Sequence, residues 1–335
     1  RGRGRDRGRT AARAMEARST AGGADGPARD MVGYGNPATR AVVAWPHGAR
    51  VALSLVVNYE EGGEYTLLNG DEHAETFLGE ISGGVPVRHA RNLNMESVFE
   101  YGSRVGFWRI MALLDEHQHP CTVFAVGRAL ELNPAVCAFL RAHPRHEVVS
   151  HGYRWIDYAD VDEQTEREHM RRAVRVHQRV FGAAKPLAGV YVGRGTTHTR
   201  RVAVEEVPGL VYDCDSYADD VPYWVKVQVN DGSVRDHLVI PHTLDANDLK
   251  FAVAPGFSAG SDFLEHLKDT LDTLLHEGGK MMTIGLHGRL IGRPGRIAAL
   301  RRFLEHVHSL GDAVWVCTRS DIARHWRAAH PPPTA

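Results

Sequence analysis

VALSLVVNYEEGGE, residues 51–64, begins as an unbroken apolar and β-branched run and ends in two adjacent carboxylates and two glycines. A strand that is apolar at nearly every position is buried on both faces, the condition of a central strand in a parallel sheet. In parallel α/β folds the strand C-termini converge on one face, and the loops leaving them hold the reacting groups. This strand delivers Asn58, Tyr59, Glu60 and Glu61 to that face.

Outward from residue 51 the same design repeats. Further strands are predicted at CTVFAV (121–126), EVVS (147–150), AGVYV (188–192), LVY (210–212), LVI (238–240), MMTIGL (281–286) and AVWV (313–316). Between them lie helical patterns. Residues 106–116 carry Phe107, Ile110, Met111 and Leu114 at three- and four-residue spacing, and 162–181, 262–277, 295–310 and 321–327 read similarly. Alternating strands and helices predict βα units around a parallel sheet or barrel. A chain of 335 residues with 43% hydrophobic content is ample for one large core, and no internal repeat is evident.

Polar residues follow nearly every strand. His151 comes after Ser150, Gly193 and Arg194 after Val192, Asp213 and Asp215 after Tyr212, and His287 and Arg289 after Leu286. Each has an ordinary explanation by itself: a strand-end histidine is commonly structural, and an aspartate pair commonly caps a turn. Five such sites on one face supply carboxylates, imidazoles and guanidinium groups together, the groups needed for acid–base hydrolysis of an amide.

Composition narrows the partner. Forty basic and forty-one acidic side chains leave a formal charge of -1, so no global field recruits nucleic acid or an anionic membrane, and a small-molecule substrate is expected. Cys121, Cys137, Cys214 and Cys317 form no CxxC pair, and neither an apolar span nor a secretion leader is present, which points to a reduced, cytoplasmic setting. Residues 1–32, rich in Gly and Arg, are expected to be a disordered extension, residues 33–327 the catalytic domain, and residues 328–335 a flexible tail.

Six longer blocks, NYEEGGE (58–64), NMESVFEYGSRVGFWR (94–109), SHGYRWIDY (150–158), YDCDSYADDVPYW (212–224), LVIPHTLDANDLKF (238–251) and IGLHGRLIGRPGR (284–296), resemble the metal-independent allantoinases that arose from polysaccharide deacetylases. The resemblance covers the body from about residue 33. It implies the distorted (β/α) barrel of about seven strands of the NodB-homology group, a homo-oligomer, and a place in purine breakdown. The implied substrate is allantoin or a related cyclic ureide, whose hydantoin ring is opened to allantoate.

The departures from the wider superfamily are informative. Those enzymes typically carry an Asp-Asp pair at the first strand end, one the base and the next a metal ligand; Glu60 and Glu61 stand there. Their second block supplies two imidazole ligands four residues apart; this chain has His151 and then Trp155. A catalytic divalent site normally needs three protein ligands, and Trp offers no lone pair. Glu61 and His151 alone would hold a metal weakly, so no cofactor is expected.

Without a metal, Glu60 or Glu61 is expected to take a proton from water, since adjacent like charges raise one carboxylate pKa. His151 or His287 would protonate the leaving nitrogen, and Arg194 or the backbone near it would stabilise the developing oxyanion. Asn58, Glu64, Arg104, Trp155, Asp213 and Asp215 are the candidate substrate-binding residues. Gly62 and Gly63 fit either a ligand-approaching loop or an ordinary turn. Phe107 and Trp108 read as core or interface, and Pro294 as a helix start. Two rivals stand beside this reading: a zinc-dependent N-deacetylase acting on a chitin- or peptidoglycan-like polymer, and a decayed barrel whose Arg/Gly tail binds RNA.

Overall fold

The computed structural model describes Met31, Gly33, residues 43–81 and residues 84–332. Apart from Met31, the extension expected over residues 1–32 lies outside the described residues. In chain order the strands are β1 (Val51–Tyr59), the short hairpin β2 (His73–Ala74) and β3 (Val87–Arg88), β4 (Thr122–Ala125), β5 (Glu147–Ser150), β6 (Gly189–Val190), β7 (Tyr212–Asp213), β8 (Tyr223–Gln228), β9 (Val234–Val239), β10 (Lys280–His287) and β11 (Val314–Val316). The helices are α1 (Leu93–Tyr101), α2 (Phe107–Glu116), α3 (Gly127–Leu132), α4 (Pro134–Ala142), α5 (Glu163–Phe181), α6 (Thr199–Glu206), α7 (Gly260–Glu277), α8 (Pro294–Ser309) and α9 (Arg319–Ala329).

Among the described residues, nine strands form one curled sheet in the order β10-β1-β4-β5-β6-β7-β9-β8, with β11 beside β1. Every pairing is parallel except the β8–β9 hairpin. This is the distorted barrel that the resemblance implies. β1 is buried along its whole length, paired with β10 on one edge and with β11 and then β4 on the other. The chain leaving β9 is joined to β10 by the Asn247–Gly285 contact and by Arg319. This fully buried guanidinium donates to the carbonyls of Ile240 and Pro241 and to Thr283 Oγ1.

The strand period of two then decides which side chains face inward. Ala52 and Val56 of β1 join Phe124, Val149, Tyr212, Cys214, Leu238, Ile240 and Met281 in the barrel interior, with Ile322 and Trp326 of α9 in the same cluster. Val51, Leu53, Leu55, Val57 and Tyr59 face the opposite way, against Phe107, Ile110, Phe263, Leu267, Phe303 and other helix residues. The inward parity includes Asn58 within β1 and His287 at the end of β10, and continues just past β1 and β5 to Glu60 and His151.

The sequence reading missed β8, an edge strand whose mostly half-exposed residues give little apolar alternation, and the helices α1, α3, α4 and α6. α1 starts at Leu93, where the Asn92 side chain accepts from Met95 N–H. It runs into α2 through a π-helical turn at Gly102–Gly106. Pro294 does begin α8, and Phe107 is core. α9 continues to Ala329, and the next carbonyl, of His330, accepts from the Trp224 indole, so the chain is tied down beyond residue 327.

Candidate active site

The glutamate pair follows β1 in a tight turn closed by Gly63 N–H donating to Glu60 O. Gly62 adopts φ 97°, and a Cβ there would also lie 2.5 Å from Leu132 Cδ1, so both backbone and packing require glycine. Both glutamates face Arg289, and Glu60 also meets two imidazoles. Glu60 Oε1 lies 3.1 Å from His151 Nε2 and 3.4 Å from His287 Nε2, while Arg289 Nη2 donates to Glu60 Oε2 at 2.6 Å. Glu61 Oε2 accepts from Glu60 N–H at 3.1 Å, and its Oε1 lies 3.7 Å from Arg289 Nη1.

Each imidazole is oriented from behind. His151 Nδ1–H donates to the Tyr191 carbonyl at 3.0 Å, so Nε2 faces Glu60. His287 Nδ1–H donates to Asp248 Oδ1 at 2.6 Å. Asp248 is fully buried and its Oδ2 accepts the backbone N–H groups of His287 and Ile291, at 2.7 and 3.0 Å. A third imidazole, His242, packs its ring 4.8 Å from the Tyr191 ring.

These contacts divide the charges. Burial alone would raise Glu60, but Arg289, His287 and His151 hold its carboxyl well below the usual range. Burial raises Glu61, with Glu60 beside it adding to the rise and Arg289 opposing it. Burial would lower His287, yet Glu60 and Asp248 push it up to about 9. Glu64, whose carboxylate accepts Gly62 N–H at 2.6 Å, is raised by burial to about 7. His242 is held well below the ordinary imidazole value by burial and by the positive charge of Arg319.

Trp155 stands in an aromatic and cationic stack. Phe77 stacks on it at 6.0 Å, Phe99 lies 5.8 Å away, and the guanidinium groups of Arg194 and Arg289 sit 4.4 and 5.0 Å from its ring centre. The close approach of helix to site comes from the π-helical turn: a Cβ on Gly102 would fall 2.0 Å from Glu61 Oε1.

The structure therefore brings together Glu60, Glu61, His151, His287 and Trp155, with Asn58 beneath them donating to the Leu286 carbonyl. Glu64 lies in the same turn. The guanidinium that contacts the acids is Arg289; Arg194 instead donates to the Trp155 carbonyl and touches Glu75 at 3.6 Å. Arg104 is 77% exposed beside Glu100, on the outer side of the π-helical turn. Asp213 sits on the outward parity of β7, since Tyr212 and Cys214 face in, and pairs with Arg200 and His237 at 2.7 and 2.9 Å. Asp215 accepts from Val192 and Gly193 N–H and so braces the loop after β6.

Asp248 and His242 were missed. Both follow β9 in a stretch without periodic pattern, and Asp248 reaches the site only because Asn247 bridges to Gly285. Arg289 carried a signal, two residues past His287 at a strand end.

A three-ligand divalent site does not fit these residues. Of the two candidate ligands, His151 is committed through both ring nitrogens and Glu61 Oε2 to a backbone N–H. The neighbouring position is Trp155, and the fixed charge of Arg289 faces both acids. Among the described residues no three His, Cys, Asp or Glu side chains are grouped so as to hold a metal ion. Among those residues, too, no helix is long and apolar enough to cross a membrane.

Comparison with known proteins agrees with this architecture. Residues 94–206 match the family described as polysaccharide deacetylase. A Schizosaccharomyces pombe protein assigned to the polysaccharide deacetylases is 44% identical over 300 residues, spanning 86% of this chain and 93% of the relative. The crystal structure of PuuE allantoinase superposes with a TM-score of 0.85 at 48% identity, covering 92% of this chain and 99% of that one. A Pseudomonas aeruginosa PAO1 protein, also assigned to the polysaccharide deacetylases, gives a TM-score of 0.85 at 47% identity over 92% of this chain and 100% of its own. A barrel whose β1, β5 and β10 ends carry acid, imidazole and imidazole, together with identity of this extent along nearly the whole relative, places the chain in the polysaccharide deacetylase family.

Proposed function

We propose that this protein is a hydrolase of carbon–nitrogen bonds that opens the hydantoin ring of allantoin to allantoate without a metal. The observation that carries the reading is a pair of buried atoms with no hydrogen-bond partner: Glu61 Oε1, an acceptor, and Arg289 Nη1, a donor, 3.7 Å apart. Buried polar atoms are rarely left unpaired, and those that are commonly mark a ligand position. An acceptor beside a cationic donor suits a water and the carbonyl it attacks. The likeness to PuuE allantoinase supports allantoin as that carbonyl's source.

In this scheme Glu61, its carboxyl raised, takes a proton from water as the oxygen attacks the ring carbonyl carbon. Arg289 Nη1 stabilises the oxyanion. Glu60 stays ionised and holds His287 protonated and oriented. When the C–N bond breaks, His287 delivers its Nε2 proton to the departing nitrogen, leaving a carboxylic acid that loses its proton to solvent. Trp155 and the Arg194 stacked on it wall the ring. His151 Nε2 meets Glu60 Oε1 and steadies that carboxylate.

The test is allantoate formation by purified protein before and after exhaustive chelation, beside acetate release from acetylated chitin oligomers with added zinc. Chelation-resistant ring opening is expected. Zinc-dependent acetate release without allantoin turnover would return the chain to polymer deacetylation, and full activity in Glu61→Gln and His287→Ala variants would refute the assigned roles.

A further inference from the structure

On the outer helical layer, α3 and α4 lie beside α5 and leave a cleft of about 550 Å³. Its volume lies in the range of small-molecule sites, roughly 300–1,000 Å³. Arg128, Arg141, Arg172 and Arg179 line it together with Glu131, above an apolar floor that includes Leu130, Val176 and Val180.

The charge within the cleft is not balanced. Glu131 Oε1 accepts from Arg179 Nη2 at 2.8 Å, and Oε2 accepts from the Tyr153 hydroxyl at 2.9 Å. Arg128 and Arg172 each approach Oε2 no nearer than 3.6 Å. Arg141 donates to the Val180 carbonyl, which carries no net charge. One carboxylate thus faces four permanent cations, with its two oxygens already engaged. Guanidinium forks match phosphate and carboxylate oxygens, and convergent arginines repel one another unless an anion lies between them.

We propose that this cleft binds a small organic anion, a phosphate ester or a polycarboxylate, with its charged group among the four arginines and its less polar body on the Leu130, Val176 and Val180 floor. The site is separate from the strand-end cluster and does not depend on the reaction assigned there.

Isothermal titration of the full chain with adenosine 5′-monophosphate, citrate and inorganic phosphate tests it. Arg128 is left intact, because it also donates to Asn69, whose amide supports the Gly62 and Glu64 carbonyls. The variant is the double substitution Arg141→Gln and Arg179→Gln, both at exposed arginines. Binding of adenosine 5′-monophosphate or citrate is expected, weakened by added salt, about tenfold or more tighter than inorganic phosphate, and lost by about tenfold or more in the double variant at unchanged Tm. Which organic probe binds distinguishes a phosphate ester from a polycarboxylate. The proposal is overturned if neither organic probe binds up to about 10 mM, if phosphate binds as well as both, or if the variant binds like the parent protein. A change in sedimentation of the double variant without anion binding in the parent would instead identify a self-association surface.

Discussion

Replacing Asp248 with Asn tests the acid half of the mechanism. His287 is raised to about 9 by Glu60 and Asp248 against the opposing effect of burial. Removing one of the two negative charges should bring it back toward its ordinary value of 6.5, or below. At pH 8 a group of pKa about 9 is roughly nine-tenths protonated, whereas one of about 6.5 is about 3% protonated, a loss of about thirtyfold in the competent form. A thirtyfold loss corresponds to about 2 kcal/mol. Asn also presents an N–H toward the backbone N–H groups of His287 and Ile291, so stability should fall by about 1–3 kcal/mol for each donor left unpaired. The two effects separate by measuring kcat/KM for ring opening from pH 6 to pH 10. Loss of folded enzyme scales the whole profile, while loss of the acid moves its alkaline limb from about 9 to about 6.5. A profile of unchanged shape, at any amplitude, would refute the claim that Asp248 keeps His287 protonated.

Three further outcomes follow from the same contacts. Arg289→Met leaves Glu60 and Glu61 buried without their shared cation, so we expect destabilisation of about 3–5 kcal/mol and a fall in kcat of at least about a hundredfold, read by thermal denaturation and by turnover. Glu64 is raised to about 7, so its folded state favours the protonated acid, and stability is lost as pH rises from about 4.5 through 7; Glu64→Gln should therefore raise Tm at pH 8 and leave it nearly unchanged at pH 4. His177, buried with neither ring nitrogen hydrogen-bonded, is lowered to about 4 by burial and by Lys185. The unfolded chain then binds the extra proton as pH falls below about 6.5, so His177→Leu should raise Tm more at pH 5 than at pH 8.

Much of the fold was legible because its strands are buried on both faces. The apolar runs at 51–57, 147–150 and 281–286 coincide with β1, β5 and β10, and the polar residues just past them are Glu60, Glu61, His151 and His287. The β8 edge strand, half exposed, has no such run. Short helices such as α3 and α4 bury too few positions to show a period, and their ends are set by local caps: the Asn133 side chain accepts from Val136 N–H at the start of α4.

The alternation of the main strands with the long helices, and the acid–imidazole strand ends, were determined by the sequence itself, since hydrophobic period and strand length are local properties. Parity and closure were not. Asp213 and His287 both stand at strand ends, yet one faces out to Arg200 and the other in to Glu60, because the inward phase of each strand depends on which neighbours it pairs with. Asp248, distant in sequence from both glutamates, joins them only through the bridge from Asn247 to Gly285. The choice of Arg289 over Arg194 was likewise made in three dimensions. Both guanidinium groups lie against Trp155, but only the Arg289 Nη groups come within 2.6 and 3.7 Å of Glu60 and Glu61, since its strand, β10, lies beside β1.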